Sequence, residues 1–100
     1  MLWVISCIDK ANTAEIREKV LAPHREYLQS QKKILVLAGA TQTDDGATAI
    51  GSCFVVNVNS RAEAKAVSDG DPFTQNGVFA DIKITRMRKG QWNPEAAEGA

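Results

Sequence analysis

One hundred residues, 44% apolar and 24% charged, describe one ordinary globular domain, and a chain of this length hides roughly 65% of its unfolded surface in a single core. Twelve basic residues cancel twelve acidic ones, so there is no broad positive field to draw a phosphate backbone, and a nucleic-acid partner is not expected. The longest strongly apolar run, residues 34–38, falls far short of the ~20 residues that cross a bilayer, and the amino terminus lacks a signal peptide's basic start, so a soluble cytoplasmic protein is expected.

In chain order, Leu2 to Asp9 is rich in strand formers. Asn12 with Glu15 three positions on resembles a helix start, and Ile16, Val20, His24 and Tyr27 or Leu28 then recur at helical spacing. The charged residues Glu15, Arg17, Glu18, Lys19, Arg25 and Glu26 fall mostly on other faces. Pro23 has no amide proton to give and should break the helix one residue before His24. A second strand, residues 34–40, leads through the turn residues Thr43-Asp44-Asp45-Gly46 into a third, residues 50–58, which implies a hairpin.

Ser60-Arg61-Ala62-Glu63 is a capping box for a second helix, which should end near Gly70 in a left-handed stop with Pro72 beyond it. Residues 78–85 form the last strand. Residues 1–90 thus make one domain and 91–100 a tail, for which Trp92 is the one ring able to dock. The order β-α-β-β-α-β is that of a ferredoxin-like α+β fold, a four-stranded antiparallel sheet with two helices on one face. Strand one is apolar on both faces, and two helices cover only one. The face assigned Trp3, Ile5, Cys7, Cys53 and Val55 is therefore expected to be buried by a second subunit, making a homodimer.

Cys7 and Cys53 are too few for a disulfide scaffold and read as reduced, core-type thiols. His24 is the one histidine. It either closes a helix face as a core or rim residue or acts as a base, and with no cysteine or carboxylate at ligand spacing it makes no metal site. Asp71 either caps a turn or orients His24; Pro72 beside it stiffens the loop. If helix one and this loop meet at one end of the sheet, Asp71 accepts a hydrogen bond from one imidazole nitrogen and leaves the other free as a base. Ser52, in an apolar strand, reads as a tolerated serine or as a donor to a developing oxyanion. No Gly-x-Ser-x-Gly elbow, Walker loop or dinucleotide fingerprint is present.

His24-Arg25-Glu26-Tyr27-Leu28 in helix one and Asp71-Pro72-Phe73 before the last strand resemble the YciI-like, or YCII, family. Ala38-Gly39, Gly51-Ser52, the alanine-rich second helix and Gly77-Val78-Phe79 are also similar to it. The likeness covers about residues 2 to 86; Ala40, Arg86-Met87 and the tail depart from the family pattern. The resemblance implies a dimer with a His24–Asp71 dyad in a small pocket, with Ser52 as a catalytic helper and Pro72 and Phe73 shaping the site. It also implies a cofactor-free lyase that eliminates chloride from a chlorinated hydroxyhydroquinone, a small aromatic substrate, since dehydrochlorination is the family's best-defined activity. One alternative is a cofactor-free isomerase or oxygenase of the dimeric α+β barrel type on an oxygenated ring; another is a small-molecule binding module without turnover. RNA binding through the sheet would need outward aromatics and basic residues, and Trp3 is its single candidate on strand one.

Overall fold

The computed structural model describes residues 1–100. Its elements are β1 (Leu2–Asp9), α1 (Ala14–Lys19), α2 (Leu21–Ser30), β2 (Leu35–Gln42), β3 (Ala49–Asn57), α3 (Arg61–Asp69), α4 (Pro72–Gln75) and β4 (Phe79–Met87), followed by a short 3-10 turn, Pro94–Ala97. The sheet order is β2-β3-β1-β4 with every neighbouring pair antiparallel. This is the ferredoxin-like arrangement, with the first helix split in two and a one-turn helix added before the last strand. No helix is long and apolar enough to cross a membrane.

The first helix breaks at Val20 and not next to His24. Proline cannot donate to the carbonyl four residues back, and its ring crowds that carbonyl. Restarting at Leu21 puts Pro23 in the first turn of α2, where an amide has no helical partner to find. Asn12 does not cap α1 either. It takes a left-handed φ of 61° in the preceding turn, and Thr13 occupies the cap position while its hydroxyl donates to the Lys10 carbonyl.

The capping box of α3 forms as expected: Ser60 accepts from the Glu63 amide at 3.1 Å, and Glu63 reaches back to the Asn59 amide at 2.6 Å. Gly70 is no left-handed stop, since its φ is −78°. Its smallness serves packing, because a Cβ there would stand 2.6 Å from the Tyr27 hydroxyl oxygen. That hydroxyl donates to the Val67 carbonyl at 2.7 Å and ties α2 to α3. Burial, and to a lesser degree the nearby Asp71 and Asp69, raise the Tyr27 pKa, so the phenol keeps the proton it donates.

The strand register corrects the assignment of the two sheet faces. Trp3, Ile5 and Cys7 pair with Val56, Phe54 and Ser52, and all six are buried beneath the helices. Side chains directly opposite in an antiparallel pair share a face, so Cys53 and Val55 belong to the other one. There they join Leu2, Val4 and Ile8, with Leu37 from β2; Leu37 is 67% and Ile8 59% exposed. This open face carries no aromatic ring, and Trp3 points inward, which removes the feature that RNA binding through the sheet would need. Trp92 does not dock: it is 56% exposed, like the residues around it.

Candidate active site

The helix-covered face is apolar at its Trp3 end and turns polar at its Cys7 end. The extended backbone of Asp71 (φ −72°, ψ 125°) is the conformation that a following proline favours and that a helix cap requires. Its Oδ1 accepts from the Phe73 amide at 2.9 Å, which opens α4. The same oxygen lies 2.7 Å from His24 Nδ1, with the histidine 7% and the aspartate 1% exposed. A carboxylate accepts and does not donate, so the proton of this contact sits on Nδ1, which directs the basic lone pair of an uncharged ring to Nε2. Nε2 has no protein hydrogen bond and is not among the sealed polar atoms. Asp71 Oδ2 is buried without a partner.

Phe73 fixes the imidazole plane. The two rings stack with centroids 3.7 Å apart and 7° between planes, while Phe54 stands tilted at 6.4 Å. Phe73 is fully buried, held edge-on by Phe79 at 6.1 Å. Of the residues singled out from sequence, the fold thus brings His24, Asp71, Pro72 and Phe73 into one cluster.

Ser52 sits at the same end of the sheet, 3% exposed, but its hydrogen-bond partner is Arg17 and not the dyad. Arg17 Nη2 donates to Ser52 Oγ at 2.8 Å and to the Gly51 carbonyl at 2.6 Å, and Nε donates to Asp9 Oδ2 at 2.9 Å. The guanidinium carbon lies 4.6 Å from the Phe73 ring centre. Gly51 is required here because a Cβ would overlap the Cys7 carbonyl oxygen of the neighbouring strand β1. Arg17 was expected among the solvated charges, yet it turns inward while Ile16 is 37% exposed. The signal in the sequence is its spacing seven residues before His24, which in an unbroken helix would set the two on one face two turns apart.

Cys7 is buried beside this cluster. Desolvation first, then the negative charges of Asp71, Cys53 and Asp9, push its thiol up to about 12, against a smaller opposing pull from Arg17. It is a small hydrophobe at neutral pH and no nucleophile. No group of three histidine, cysteine or acidic side chains converges anywhere in the chain. What the cluster offers chemically is a positioned base with an orienting carboxylate, next to a fixed guanidinium.

Residues 1–88 match the YCII-related domain. The chain belongs to the YCII family. Among YCII relatives it is similar to the protein YciI of Escherichia coli O6:H1 and to YciI of Shigella flexneri, each 31% identical over 96 residues that cover 89% of this chain and 98% of the relative. Among solved structures it is similar to 5-chloro-2-hydroxyhydroquinone dehydrochlorinase (TftG) from Burkholderia phenoliruptrix AC1100, determined in complex with 2,5-dihydroxybenzoquinone. The TM-score is 0.84 at 28% identity, covering 90% of this chain and 96% of that one. Protein Atu4242 from Agrobacterium tumefaciens, with a TM-score of 0.54 at 17% identity over 94% of this chain and 98% of its own, shares the fold.

Proposed function

We propose that this chain is a cofactor-free lyase that eliminates chloride from a chlorinated hydroxyhydroquinone, with His24 as base and Asp71 as its orienting partner. The observation that carries the reading is the 2.7 Å contact between His24 Nδ1 and Asp71 Oδ1, which leaves Nε2 free at the polar end of a fold similar to that of TftG.

In this reading Nε2 takes a proton from a ring hydroxyl. The electron pair left on oxygen moves into the ring, and the chlorine-bearing carbon takes up a proton as the ring shifts to its keto form. A second hydroxyl then loses its proton and the C–Cl pair departs as chloride, so the sum is loss of H⁺ and Cl⁻ with a quinone left behind and no external oxidant. As the imidazolium forms, Asp71 faces it across a dry hydrogen bond, where a charge pair is worth more than in water. Pro72 holds the backbone of Asp71, and Phe73 holds the plane of the imidazole. Ser52 belongs to the side of the site that receives the oxygen gaining charge.

The open face, with Ile8 and Leu37 exposed beside half-buried Val4 and Val55, supports a homodimer in which a second copy covers it. Residues 91–100 are an appendage outside the 1–90 domain.

Incubation with 5-chloro-2-hydroxyhydroquinone, following free chloride, tests the proposal. Enzyme-dependent release that vanishes in a folded His24→Ala protein is the expected result. Ring isomerisation or oxygen uptake without chloride would favour the isomerase or oxygenase reading, and tight binding without turnover would favour a binding module. Light scattering should give about twice the chain mass; a monomer at micromolar concentration would remove the dimer.

A further inference from the structure

Arginine presents five N–H donors in a planar fork. In Arg17 three of them are committed, Nε to Asp9 and the Nη2 pair to the Gly51 carbonyl and Ser52 Oγ. Nη1 has no protein partner and is not among the sealed polar atoms, although the side chain is only 12% exposed. A carboxylate, a carbonyl and a hydroxyl therefore hold a nearly buried guanidinium from behind and leave one edge available. That edge belongs to a group resting against the same Phe73 ring that stacks on His24, at 4.6 Å for the guanidinium and 3.7 Å for the imidazole. Contact with one ring places the imidazole and the guanidinium in the same cluster.

We propose that the free Nη1 edge of Arg17 is the oxyanion donor of this site, so that the ligand it selects is a planar ring bearing an ionised oxygen. The inference rests on the lyase reading above and names the group that receives the charge. When Nε2 takes the hydroxyl proton, the O–H bond breaks and its electron pair stays on oxygen, where the Nη1 hydrogens meet it. A donor fixed beforehand needs no reorganisation as that charge appears. Asp9, Gly51 and Ser52 are positioning groups in this scheme, and Ser52 acts through Arg17. Asp9 balances the guanidinium charge, so the site is no general anion sink. A neutral hydroxyl gains a single charge-assisted hydrogen bond from Nη1, whereas an ionised oxygen gains in addition the attraction between opposite charges in a nearly buried setting.

The test compares two ring diols on the whole protein by calorimetric titration at neutral pH: 2,5-dihydroxybenzoquinone, acidic enough to be ionised, and hydroquinone, which stays neutral. Chloride release is followed in parallel. Arg17→Lys keeps a cation beside Asp9 but not the fork, and circular dichroism checks its fold; Arg17→Gln removes the charge as well. Arg17→Lys should weaken dihydroxybenzoquinone on the order of 10²-fold and cut kcat for chloride release by ~10²–10³-fold, with hydroquinone binding unchanged within about threefold. Ser52→Ala should lower kcat by about tenfold with KM nearly unmoved, as loosening of a fixed donor predicts. Equal losses for both diols, or no loss for either in a folded Arg17→Lys protein, would overturn the proposal. Wild-type protein that discriminates the diols through Arg17 yet releases no chloride would leave the oxyanion site standing and remove the lyase reading. Chloride release that needs His24 but tolerates Arg17→Lys would do the reverse.

Discussion

The two ends of the helix-covered sheet face are equally closed to solvent but differ in chemistry. At one end Trp3 (7% exposed) and Val56 (0%) pack beneath Arg61, whose guanidinium lies 5.3 Å from the Trp3 ring and donates to the Ile84 carbonyl from an exposed position. At the other, Cys7 and Ser52 (3% each) meet Arg17, His24 and Asp71. Both ends set an arginine against an aromatic ring. At the Trp3 end it covers the core; at the Cys7 end it is held by three acceptors among buried polar groups. Burial therefore does not separate packing from chemistry here. The separation lies in what the buried groups are bonded to: at the Cys7 end His24, Asp71, Ser52 and Arg17 hold one another or the backbone through side-chain hydrogen bonds.

If the two ends have separate duties, changes at each should leave the other's property alone. The largest effect is expected at the polar end, where His24→Ala should lower chloride release by ~10²–10⁴-fold in protein that still folds by circular dichroism. At the apolar end, Trp3→Ala should cost about 3–5 kcal/mol in denaturant unfolding, with turnover per folded molecule unchanged. Lost turnover in the folded fraction would show that the ends are coupled.

Between the two, Tyr27 braces α2 against α3 with no room for a methyl at Gly70. Gly70→Ala should cost about 1–3 kcal/mol through overpacking, seen as a lower unfolding midpoint, and relief by Tyr27→Phe would identify the hydroxyl as the obstacle. The smallest effect at neutral pH concerns Cys7. Its folded pKa is raised, so its contribution is complete below the ordinary thiol range and is lost as pH climbs toward about 12, where the unfolded chain ionises first. Stability should therefore fall above pH ~9 by at most about 1.4 kcal/mol per pH unit, a slope that Cys7→Ala should flatten. At neutral pH the native thiol should resist alkylation.

How much of this was legible beforehand follows from what each feature depends on. The strands, the α3 capping box and the turn around Thr43–Gly46 are set by neighbours in sequence, and they appear where their residues place them. His24 and Asp71, 47 residues apart, were linked by the family resemblance and by the order of the elements, which brings helix one and the last loop to one end of the sheet. The face assignment failed because alternation within each strand leaves open which face of β3 joins which face of β1; the register decides that. Arg17 was missed because a charged residue in a charged helix looks solvated, and its acceptors come from β1 and β3. The break at Val20 was displaced for a local reason, the freedom of a helix to restart so that its proline lands in the first turn.

The central claim is that His24 and Asp71 act as one unit, and a double-mutant cycle on chloride release tests it most directly. His24→Ala and Asp71→Asn should each be severe, the first by loss of the base and the second by favouring the wrong imidazole tautomer. The double variant should be little slower than His24→Ala, because residues acting together are far from additive. A folded His24→Ala protein with near wild-type turnover, or a double variant slowed by the full product of the two single losses, would contradict the account.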